Sequence, residues 1–455
     1  MNASAAPLTA QRAPGPRGLP VLGSMPAMRQ DAVGTMLDWH RRYGDVVGYR
    51  LGPWHFHMLS HPALAEAVLI EHQDSFVKMY DGGKPVGIGV VLGQGLATSQ
   101  GELWRRQRRL IQPMFHRSRV AGFGGEIATA GRGVLERWRG LEPARPVDAA
   151  HEMMRATLEV ITRTMFSTSV LDRLDELSPA LLRVLRYTAE CIQNPLLPPL
   201  WVPTPANRAF RKAMAQIDGL IYGLIRDRRD SGLRYDDLLD KLIYAVDPDT
   251  GAAMNEQQIR DETLTIFVAG HETTAVALTW AWYLLASHPE ARERLHAEVD
   301  AILDGRAPGV DDLPKLAYTR AVIEEGLRLY PPALGVIRKT TRDFELGGFR
   351  LPAKTFAFVN IGNIHRHAEF WEKPDAFRPE RFLDGQPGHR LAFMPFGAGP
   401  RVCPGNHLAM TEAVLLLASL ARQYRLDLLP GHRLETEITI TLRPKGGLPM
   451  RLSRR

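Results

Sequence analysis

A short stretch near the end of the chain, Phe396–Gly405, constrains the fold most; it reads Phe-Gly-Ala-Gly-Pro-Arg-Val-Cys-Pro-Gly. It contains Cys403, one of two cysteines among 455 residues. Its glycines and prolines bend the backbone, and the apolar run His407–Leu420 that follows predicts a helix. Cys403 is therefore expected at or just before a helix N-terminus, where unpaired N–H groups and the helix dipole favour a thiolate. Such a bend lets the backbone approach a large, flat group whose acids Arg401 could neutralise.

The spacing Phe396-x-x-Gly399-x-Arg401-x-Cys403-x-Gly405 resembles the haem-binding signature of the cytochrome P450 family at every fixed position. In a haem-thiolate site the sulfur donates electron density to iron and favours cleavage of the O–O bond. The resemblance implies that Cys403 is the axial iron ligand of haem b. It also places Phe396, Arg401 and Gly405 in contact with this cofactor. From the residues alone, the alternative is a packed, inert cysteine in a Gly/Pro loop.

The longest apolar segment with helical periodicity, Asp261–Ser287, predicts a helix of about 40 Å, enough to cross a domain. Its centre, Ala-Gly-His-Glu-Thr-Thr at 269–274, resembles the oxygen-binding sequence of the same family. By this resemblance Ala269 leaves room for O₂, the co-substrate, while Glu272 and Thr273 relay protons to it. The alternatives are a Thr273 hydroxyl bonded to a carbonyl one turn earlier and a Glu272 ion pair. Burying an acid in so apolar a helix is costly, which favours the functional role.

The resemblance assigns further residues to the haem propionates. Trp104 and Arg108 are four residues apart, so they share one face of a predicted helix. Arg338, at the end of a strand predicted over 333–338, and Arg401 are the other assigned partners. A solvated helix face is the alternative for the arginine-rich stretch around Arg108.

A glycine-rich loop over Tyr80–Ser99 carries many aliphatic side chains, which favours a pocket wall over an ordinary surface loop. In the family the corresponding loop moves over the substrate. A proline-rich, apolar loop at 194–203 also favours a lipophilic substrate. The side chains predicted to surround this substrate are Val86, Ile88, Val90, Ala269, Thr273 and Val336.

Three shorter patterns concern the framework. Glu325, Arg328 and Arg381 resemble an ion-pair cluster of the family, and we predict a structural role only. The spacing in Ser287–Glu290 is that of a capping box and predicts a helix start. The alternating run Glu437–Leu442 predicts a strand.

Composition limits the class of protein. Hydrophobic residues make up 45% of the chain and charged residues 24%, as in soluble globular proteins with a sizeable core. The net charge of +7, from 57 basic and 50 acidic residues, is too small and dispersed to favour nucleic acid. Two distant cysteines favour a reducing compartment. His271 and Glu272 interrupt the most apolar segment, Leu264–Ala286, so no membrane span is expected and we predict a cytoplasmic protein.

We therefore predict a mainly α-helical chain with a small β-sheet subdomain, which is the haem fold of the cytochrome P450 family. Residues 14–455, over which the resemblance runs, are predicted to form a single haem-thiolate monooxygenase domain. Residues 1–13 are predicted to be a flexible lead. A monomer is expected.

The implied function is insertion of one oxygen atom from O₂ into a lipophilic molecule such as a terpenoid, fatty acid, steroid or polyketide. No Gly-x-Gly-x-x-Gly fingerprint follows a predicted strand, and two cysteines cannot hold a four-cysteine iron–sulfur cluster. Electrons from NAD(P)H are therefore expected through a separate ferredoxin or flavodoxin with its reductase. Two alternatives stay open: peroxide-driven or rearrangement chemistry on the same haem, and a non-catalytic haem protein that senses or carries a gas. The Glu272–Thr273 pair argues against the first, because that chemistry needs no protons for O₂.

Overall fold

The computed structural model describes residues 11–78, 87–141, 145–194, 197–246, 251–385 and 388–455. Helices dominate these residues, as the sequence predicted. In chain order they are α1 (Met25–Gln30), α2 (Ala32–Tyr43), α3 (Pro62–Glu66), α4 (Gly89–Leu92), α5 (Gly101–Ile111), α6 (Arg117–Ala121), α7 (Gly124–Arg139), α8 (Ala149–Phe166), α9 (Leu174–Gln193), α10 (Pro205–Ser231), α11 (Leu238–Tyr244), α12 (Glu256–Ser287), α13 (Pro289–Leu303), α14 (Ala317–Leu329), α15 (Ile361–Ile364) and α16 (Asn406–Ala421).

The strands are short. They are β1 (Gln11–Arg12), β2 (Val46–Leu51), β3 (Trp54–Leu59), β4 (Phe76–Val77), β5 (Pro146–Asp148), β6 (Gly335–Thr340), β7 (Phe344–Leu346), β8 (Phe349–Leu351), β9 (Phe356–Asn360), β10 (Tyr424–Leu428), β11 (Thr436–Ile438), β12 (Leu442–Pro444) and β13 (Pro449–Arg454). The largest sheet has the order β2-β3-β9-β6-β4, and the smaller ones are β1-β8-β7, β10-β13-β5 and β11-β12. In the largest sheet β3 and β9 are parallel and the other neighbours antiparallel. Long helices beside small sheets confirm the predicted fold class.

The helix α12 is the central element of the fold. It runs for 32 residues from its N-cap Asn255, whose side chain accepts a hydrogen bond from the Gln258 N–H. It begins at Glu256, before the predicted Asp261, because this cap stabilises a polar first turn. α8, α10, α14 and α16 pack against it, and most of its side chains are buried, as in a helix inside a core. Among the described residues, no helix is both long enough and apolar enough to cross a membrane.

The middle of α12 is tied to α8 by a buried hydrogen bond. Thr157 Oγ1 donates to the His271 carbonyl oxygen at 2.8 Å. The His271 side chain is buried, and its Nδ1 lies 2.6 Å from the Phe267 carbonyl oxygen on the same helix. This anchor fixes the height at which the motif 269–274 lies in the core.

The predicted ion-pair cluster is confirmed as a contact. Glu325 and Arg328 are both fully buried; Arg328 Nε donates to Glu325 Oε2 at 2.7 Å. Arg381 Nε donates to the other carboxylate oxygen at 3.1 Å. Arg328 also donates to the carbonyls of His365 and Pro374, so its donors are satisfied inside the protein. The cluster joins α14 to the segment that leads towards the cysteine bend.

The predicted flexible lead does not extend to residue 13. Gln11–Arg12 pair in parallel with β8, with Gln11 opposite Phe349, and Ala13 is buried. Residues 1–10 lie outside the described residues. Local composition could not indicate this pairing, because the partner strand β8 is distant in the sequence.

The predicted capping box is wrong. α13 begins at Pro289 without a side-chain cap. Ser287 Oγ instead donates to the Tyr283 carbonyl oxygen at 2.9 Å. The hydroxyl therefore serves the last turn of α12 and not the first turn of α13.

The predicted strand Glu437–Leu442 is a hairpin. β11 and β12 pair antiparallel, with Ile438 opposite Leu442. The Thr439 N–H donates to the Thr441 carbonyl oxygen at 3.1 Å, which closes the turn between the strands. Side chains of this turn reach the ligand-facing region described below.

Candidate active site

A cavity of about 390 Å³ lies between the centre of α12 and the bend before α16. α5, α8, α14 and β6 supply more of its wall. Most of the residues predicted to contact a cofactor or substrate line it: Trp104, Arg108, Ala269, Thr273, Val336, Arg338, Phe396, Arg401, Cys403 and Gly405. The fold thus assembles in one place side chains that are distributed along most of the chain.

The cysteine bend holds its shape through local contacts. The Cys403 N–H donates to the Phe396 carbonyl oxygen at 3.0 Å, which closes the loop. Gly399 has a φ of +72°, and a Cβ atom there would lie 2.2 Å from the Leu69 carbonyl oxygen, so only glycine fits. α16 begins at Asn406, just after the bend, as predicted. The sulfur is therefore presented to the cavity by a backbone with little freedom.

The polypeptide alone does not favour a thiolate at this position. Burial raises the pKa of the Cys403 thiol, and a hydrogen bond from Gly405 and the charge of Arg108 oppose the rise only in part. The effect expected from the helix terminus is therefore outweighed by desolvation. A positive group bound at the sulfur would reverse this balance, since metal ligation favours the deprotonated thiol. The donor set fits an iron-bound cofactor.

Three basic side chains converge on one wall of the cavity: Lys78, Arg338 and Arg401. Burial lowers the pKa of Arg338 to about 10, and the charge of Arg401 acts in the same direction. The pKa of Lys78 lies well below its usual value, first because of burial and then because of both arginines. Like charges that share a desolvated wall repel each other, so an anion placed between them would be stabilised. The two propionates of a haem fit this requirement.

Trp104 and Arg108 lie beside this cluster on α5. The Arg401 guanidinium carbon is 4.3 Å from the Trp104 ring centre, a cation–π contact. Arg108 Nη1 donates to the Val402 carbonyl oxygen at 2.8 Å, and its Nε donates to Gln112 Oε1 at 3.0 Å. Arg108 therefore braces the cysteine bend directly, a contact that the sequence did not predict.

Thr273 and Glu272 point in different directions from the middle of α12. Thr273 lines the cavity, and its Oγ1 donates to the Ala269 carbonyl oxygen at 2.8 Å. Glu272 is buried away from the cavity; it accepts a hydrogen bond from Thr441 Oγ1 at 2.8 Å, and Arg443 Nη1 lies 4.0 Å from it. Burial raises the pKa of Glu272, against the effects of Thr441 and Arg443. In this structure Thr273 thus makes the bond within the helix that is its alternative role, while Glu272 is held by Thr441 and lies at the outer limit of an ion pair with Arg443.

A second cavity of about 450 Å³ adjoins the first, and Lys78, Ala97, Val336 and Arg338 line both. Its other walls are largely apolar and include Met25, Met28, Met36, Phe56, Ile438 and Ile440. The two cavities thus meet at a wall where two basic side chains stand beside two apolar ones, and the second cavity extends the largely apolar space beyond this wall.

The predicted pocket residues of the glycine-rich loop have different outcomes. Ile88 lines the second cavity and not the first. Val90 lines neither of these two cavities, because Gly89–Leu92 form a helical turn that packs Val90 against the helical core. Val86 lies outside the described residues.

Lys78 and Thr441 are site residues that sequence reasoning missed. Lys78 follows the short strand β4, and nothing around it in the sequence resembles a ligand-binding pattern. Thr441 meets Glu272 across 169 residues of chain. For Lys78 the sequence offers only a lone lysine directly after an apolar strand. For Thr441 it offers no local pattern, because the partner is distant in the chain.

Comparison with known proteins agrees with this geometry. The family model described as "Cytochrome P450" matches residues 13–448. A cyclooctat-9-en-7-ol 5-monooxygenase of Streptomyces melanosporofaciens is 37% identical over 442 residues, covering 93% of this chain and 91% of that protein. A cyclooctatin synthase of the same organism is 38% identical over 443 residues, covering 95% and 94%.

Two further similarities extend this result. A pentalenene oxygenase of Streptomyces avermitilis is 32% identical over 424 residues and covers 91% of each chain. The crystal structure of the cytochrome P450DA heme domain superposes with a TM-score of 0.87 at 26% identity over 98% of both chains. With a matching family model, a matching fold and a cysteine bend that faces the middle of α12, the chain belongs to the cytochrome P450 family and is a cytochrome P450 monooxygenase.

Proposed function

We propose that this monooxygenase oxidises a cyclic terpenoid, inserting one oxygen atom from O₂ into an unactivated C–H or C=C bond. The observation that carries the proposal is the pair of adjoining apolar cavities that end between Cys403 and Thr273. A rigid hydrocarbon ring system matches such walls, because each apolar contact is gained without ordering a flexible chain. The names of three Streptomyces relatives, a cyclooctat-9-en-7-ol 5-monooxygenase, a cyclooctatin synthase and a pentalenene oxygenase, support this substrate class.

We propose haem b as the cofactor. Cys403 would ligate the iron, Phe396, Gly405 and Ala269 would lie against the macrocycle, and basic residues would hold the propionates. These basic residues and their aromatic neighbour are Trp104, Arg108, Arg338, Arg401 and Lys78, the last added by the structure. When bound, haem supplies the activation of O₂ that the side chains lack.

The residues of this chain supply the protons. The Thr273 hydroxyl faces the cavity and can rotate from the Ala269 carbonyl to hold a water molecule beside the reacting oxygen. Glu272 keeps its proton to higher pH than an exposed glutamate, because burial raises its pKa. Release of its bond to Thr441 would let it pass that proton to the water held by Thr273. The apolar walls exclude other water and so limit unproductive proton delivery.

Several narrower features stay predictions. Electrons are proposed to come from NAD(P)H through a separate ferredoxin or flavodoxin with its reductase. The basic face of α5 is the natural docking surface for an acidic donor, because the same helix contacts the cysteine bend through Arg108. A single domain over 14–455, a monomeric state and a cytoplasmic location are proposed with it.

The substrate class can be tested by titrating the purified ferric protein while the Soret band is recorded. The panel contains cyclic terpene hydrocarbons and alcohols, fatty acids, steroids and macrocyclic polyketides. We expect a saturable shift to shorter wavelength with cyclic terpenes, and one added oxygen atom in the product when a surrogate ferredoxin and reductase are supplied. A stronger shift with another class overturns the terpenoid proposal. Absence of a thiolate-type band in the reduced carbon-monoxide complex would refute Cys403 ligation itself.

The proton relay has a matched control on the same helix. Thr273→Ala should keep NAD(P)H consumption but divert most of it to hydrogen peroxide, because proton delivery is disturbed. Thr279 makes the same type of bond, Oγ1 to the Ala275 carbonyl at 2.7 Å, but is buried elsewhere, so Thr279→Ala should leave the coupling unchanged. Equal coupling in both variants would contradict the relay.

A further inference from the structure

The segment Gly87–Ser99, called here the wall segment, separates the two cavities. Leu96 and Ala97 face the first cavity, while Ile88, Ala97 and Thr98 face the second. Its position therefore sets how much room a ligand has on the side of the site opposite the cysteine bend. The segment has turn bonds of its own, such as that from Thr98 Oγ1 to the Gly93 carbonyl oxygen at 2.7 Å, but its contacts with α12 fix where it lies.

Three consecutive buried side chains at the start of α12 bind the backbone of the wall segment. Arg260 Nη1 donates to the Val91 carbonyl oxygen at 3.0 Å. Asp261 Oδ2 accepts a hydrogen bond from the Gln94 N–H at 2.8 Å. The next residue, Glu262, accepts the Leu96 N–H on Oε2 at 2.9 Å.

The wall segment lies directly against α12 at these bonds. A Cβ atom at Gly93 would be 2.2 Å from Asp261 Oδ2, and one at Gly95 would be 2.0 Å from Thr265 Oγ1. Both glycines are therefore needed for the approach. From the other side, Gln107 Nε2 on α5 donates to the Gln94 carbonyl oxygen at 2.7 Å. The backbone is thus held between two helices.

Burial of Glu262 lowers the free energy of unfolding. This residue is fully buried, and its Oε1 has no hydrogen-bond partner among the described residues. A buried carboxyl group with an unsatisfied oxygen costs free energy, so stability alone does not explain it. Along α12 it precedes Ala269 by two helical turns, so the anchor and the cavity-lining residue share one face of the helix.

We propose that Asp261 and Glu262 are positioning residues that fix the wall segment and thereby determine the size of ligand accepted beside the cofactor. With Arg260 they form a set of three, called here the clamp. Arg260 is itself held by Asp218 of α10, which accepts a hydrogen bond from its Nε at 2.8 Å. This inference depends on the proposed function in one respect, the identity of the cofactor. The clamp itself is a property of the polypeptide.

The test compares Glu262→Met, which removes the acceptor at similar length, with Glu262→Gln, which keeps an oxygen for the Leu96 N–H. A further variant, Asp261→Asn, likewise keeps an oxygen that can accept a hydrogen bond from the Gln94 N–H. The first measurement is amide hydrogen exchange in peptides covering 91–99. The second is the Soret-detected Kd of the ferric protein for imidazole, which needs only the iron, and for 4-phenylimidazole, which also needs room in the cavity.

Loss of the buried hydrogen bond between the Leu96 N–H and Glu262 should speed exchange in the wall segment about tenfold in Glu262→Met. The Kd for 4-phenylimidazole should then change by about fivefold or more, in either direction, while that for imidazole stays within about twofold. The Tm should not fall, because a costly buried carboxyl group is removed. Glu262→Gln and Asp261→Asn should remain close to the unaltered protein in exchange and in the ratio of the two Kd values.

Unchanged exchange in Glu262→Met overturns the clamp. Faster exchange with both Kd values unaltered overturns its role in ligand size. A Gln variant as disturbed as the Met variant, or loss of the thiolate-type band in the Met variant alone, would show a general structural role and also overturn the proposal. If the unaltered protein itself lacks that band, the proposed function fails, while hydrogen exchange still decides on the clamp.

Discussion

The cysteine bend and the wall segment face each other across the cavity, but their shapes have different origins. The bend is closed by its own backbone, with Cys403 bonded to Phe396, and a single glycine allows its approach to Leu69. The wall segment is held by carboxylates 166 and 167 residues further along the chain. The bend thus closes on its own backbone and is then braced by Arg108, whereas the wall segment takes three of its backbone partners from α12, so changes to the two walls should have different effects.

The largest effect is expected from the sulfur itself. Cys403→Ser should abolish both the thiolate-type band of the carbon-monoxide complex and monooxygenation, because a hydroxyl cannot replace the thiolate as electron donor to iron. Absorption spectra and product analysis check this. Cys191→Ser, on α9, is the matched control and should retain both. Hydrogen exchange at Gln94 and Leu96 in apoprotein should be unaffected by either change, because their N–H groups bond to Asp261 and Glu262 and to neither cysteine; faster exchange there would contradict this.

The next effect concerns the backbone of the bend. Gly399→Ala would force a side chain into a left-handed conformation and against the Leu69 carbonyl, which should cost about 2–4 kcal/mol of unfolding free energy. Denaturant unfolding and the fraction of protein with bound haem measure the loss. Gly133→Ala in α7, where a Cβ atom meets nothing within 4 Å, should instead be neutral or slightly stabilising. Equal behaviour of the two variants would show that the bend is not locally constrained.

A smaller effect is expected at Lys78, which sits where the two walls meet. Lys78→Gln should raise the rate of haem loss several-fold, which corresponds to about 1 kcal/mol of binding free energy, because a proposed partner of the propionates is removed. Transfer of haem to an excess of apomyoglobin measures that rate. Lys212→Gln, at an exposed position of α10, should leave it unchanged. Identical rates for all three proteins would remove Lys78 from the proposed cofactor site.

The smallest effect is a pH trend behind the cysteine bend. Glu412 on α16 is buried, which raises its pKa well above the usual value, and its Oε1 has no hydrogen-bond partner among the described residues. Because the folded pKa is raised, the stabilising protonated state is present at low pH and is lost as pH rises. Glu412→Gln should therefore raise the Tm by about 2 °C at pH 8 and have little effect near pH 5. The exposed Glu435→Gln should not show this trend, and a constant difference at both pH values would contradict it.

Features that depend on residues close together in the sequence could be predicted, and features that depend on distant contacts could not. The bend, the residues 269–274 and the pair Trp104–Arg108 depend on spacing within one element, and the structure places most of them on one cavity. Val90 was misplaced because a helical turn formed where a loop was predicted, and the turn directs this side chain to the core. Periodicity over so few residues cannot distinguish the two.

Contacts between distant parts of the chain had no local signal. The hairpin that brings Thr441 to Glu272 and the lysine that joins two arginines at the cavity wall depend on the packing of whole elements. The three clamp residues appeared in the sequence only as the polar start of an apolar helix. Their proposed role depends on the contact between the helix start and the wall segment, which no local pattern encodes.

The separation between the wall segment and its anchors also has a consequence during protein synthesis. A ribosome adds about 5–20 residues per second, so the 166 residues between Leu96 and Glu262 take on the order of 10–30 s to make. For that time the N–H groups of Gln94 and Leu96 lack the partners that they have in the folded protein. Cys403 is made later still. The wall segment is therefore synthesised well before the residues that hold it, and the proposed iron ligand follows later than both.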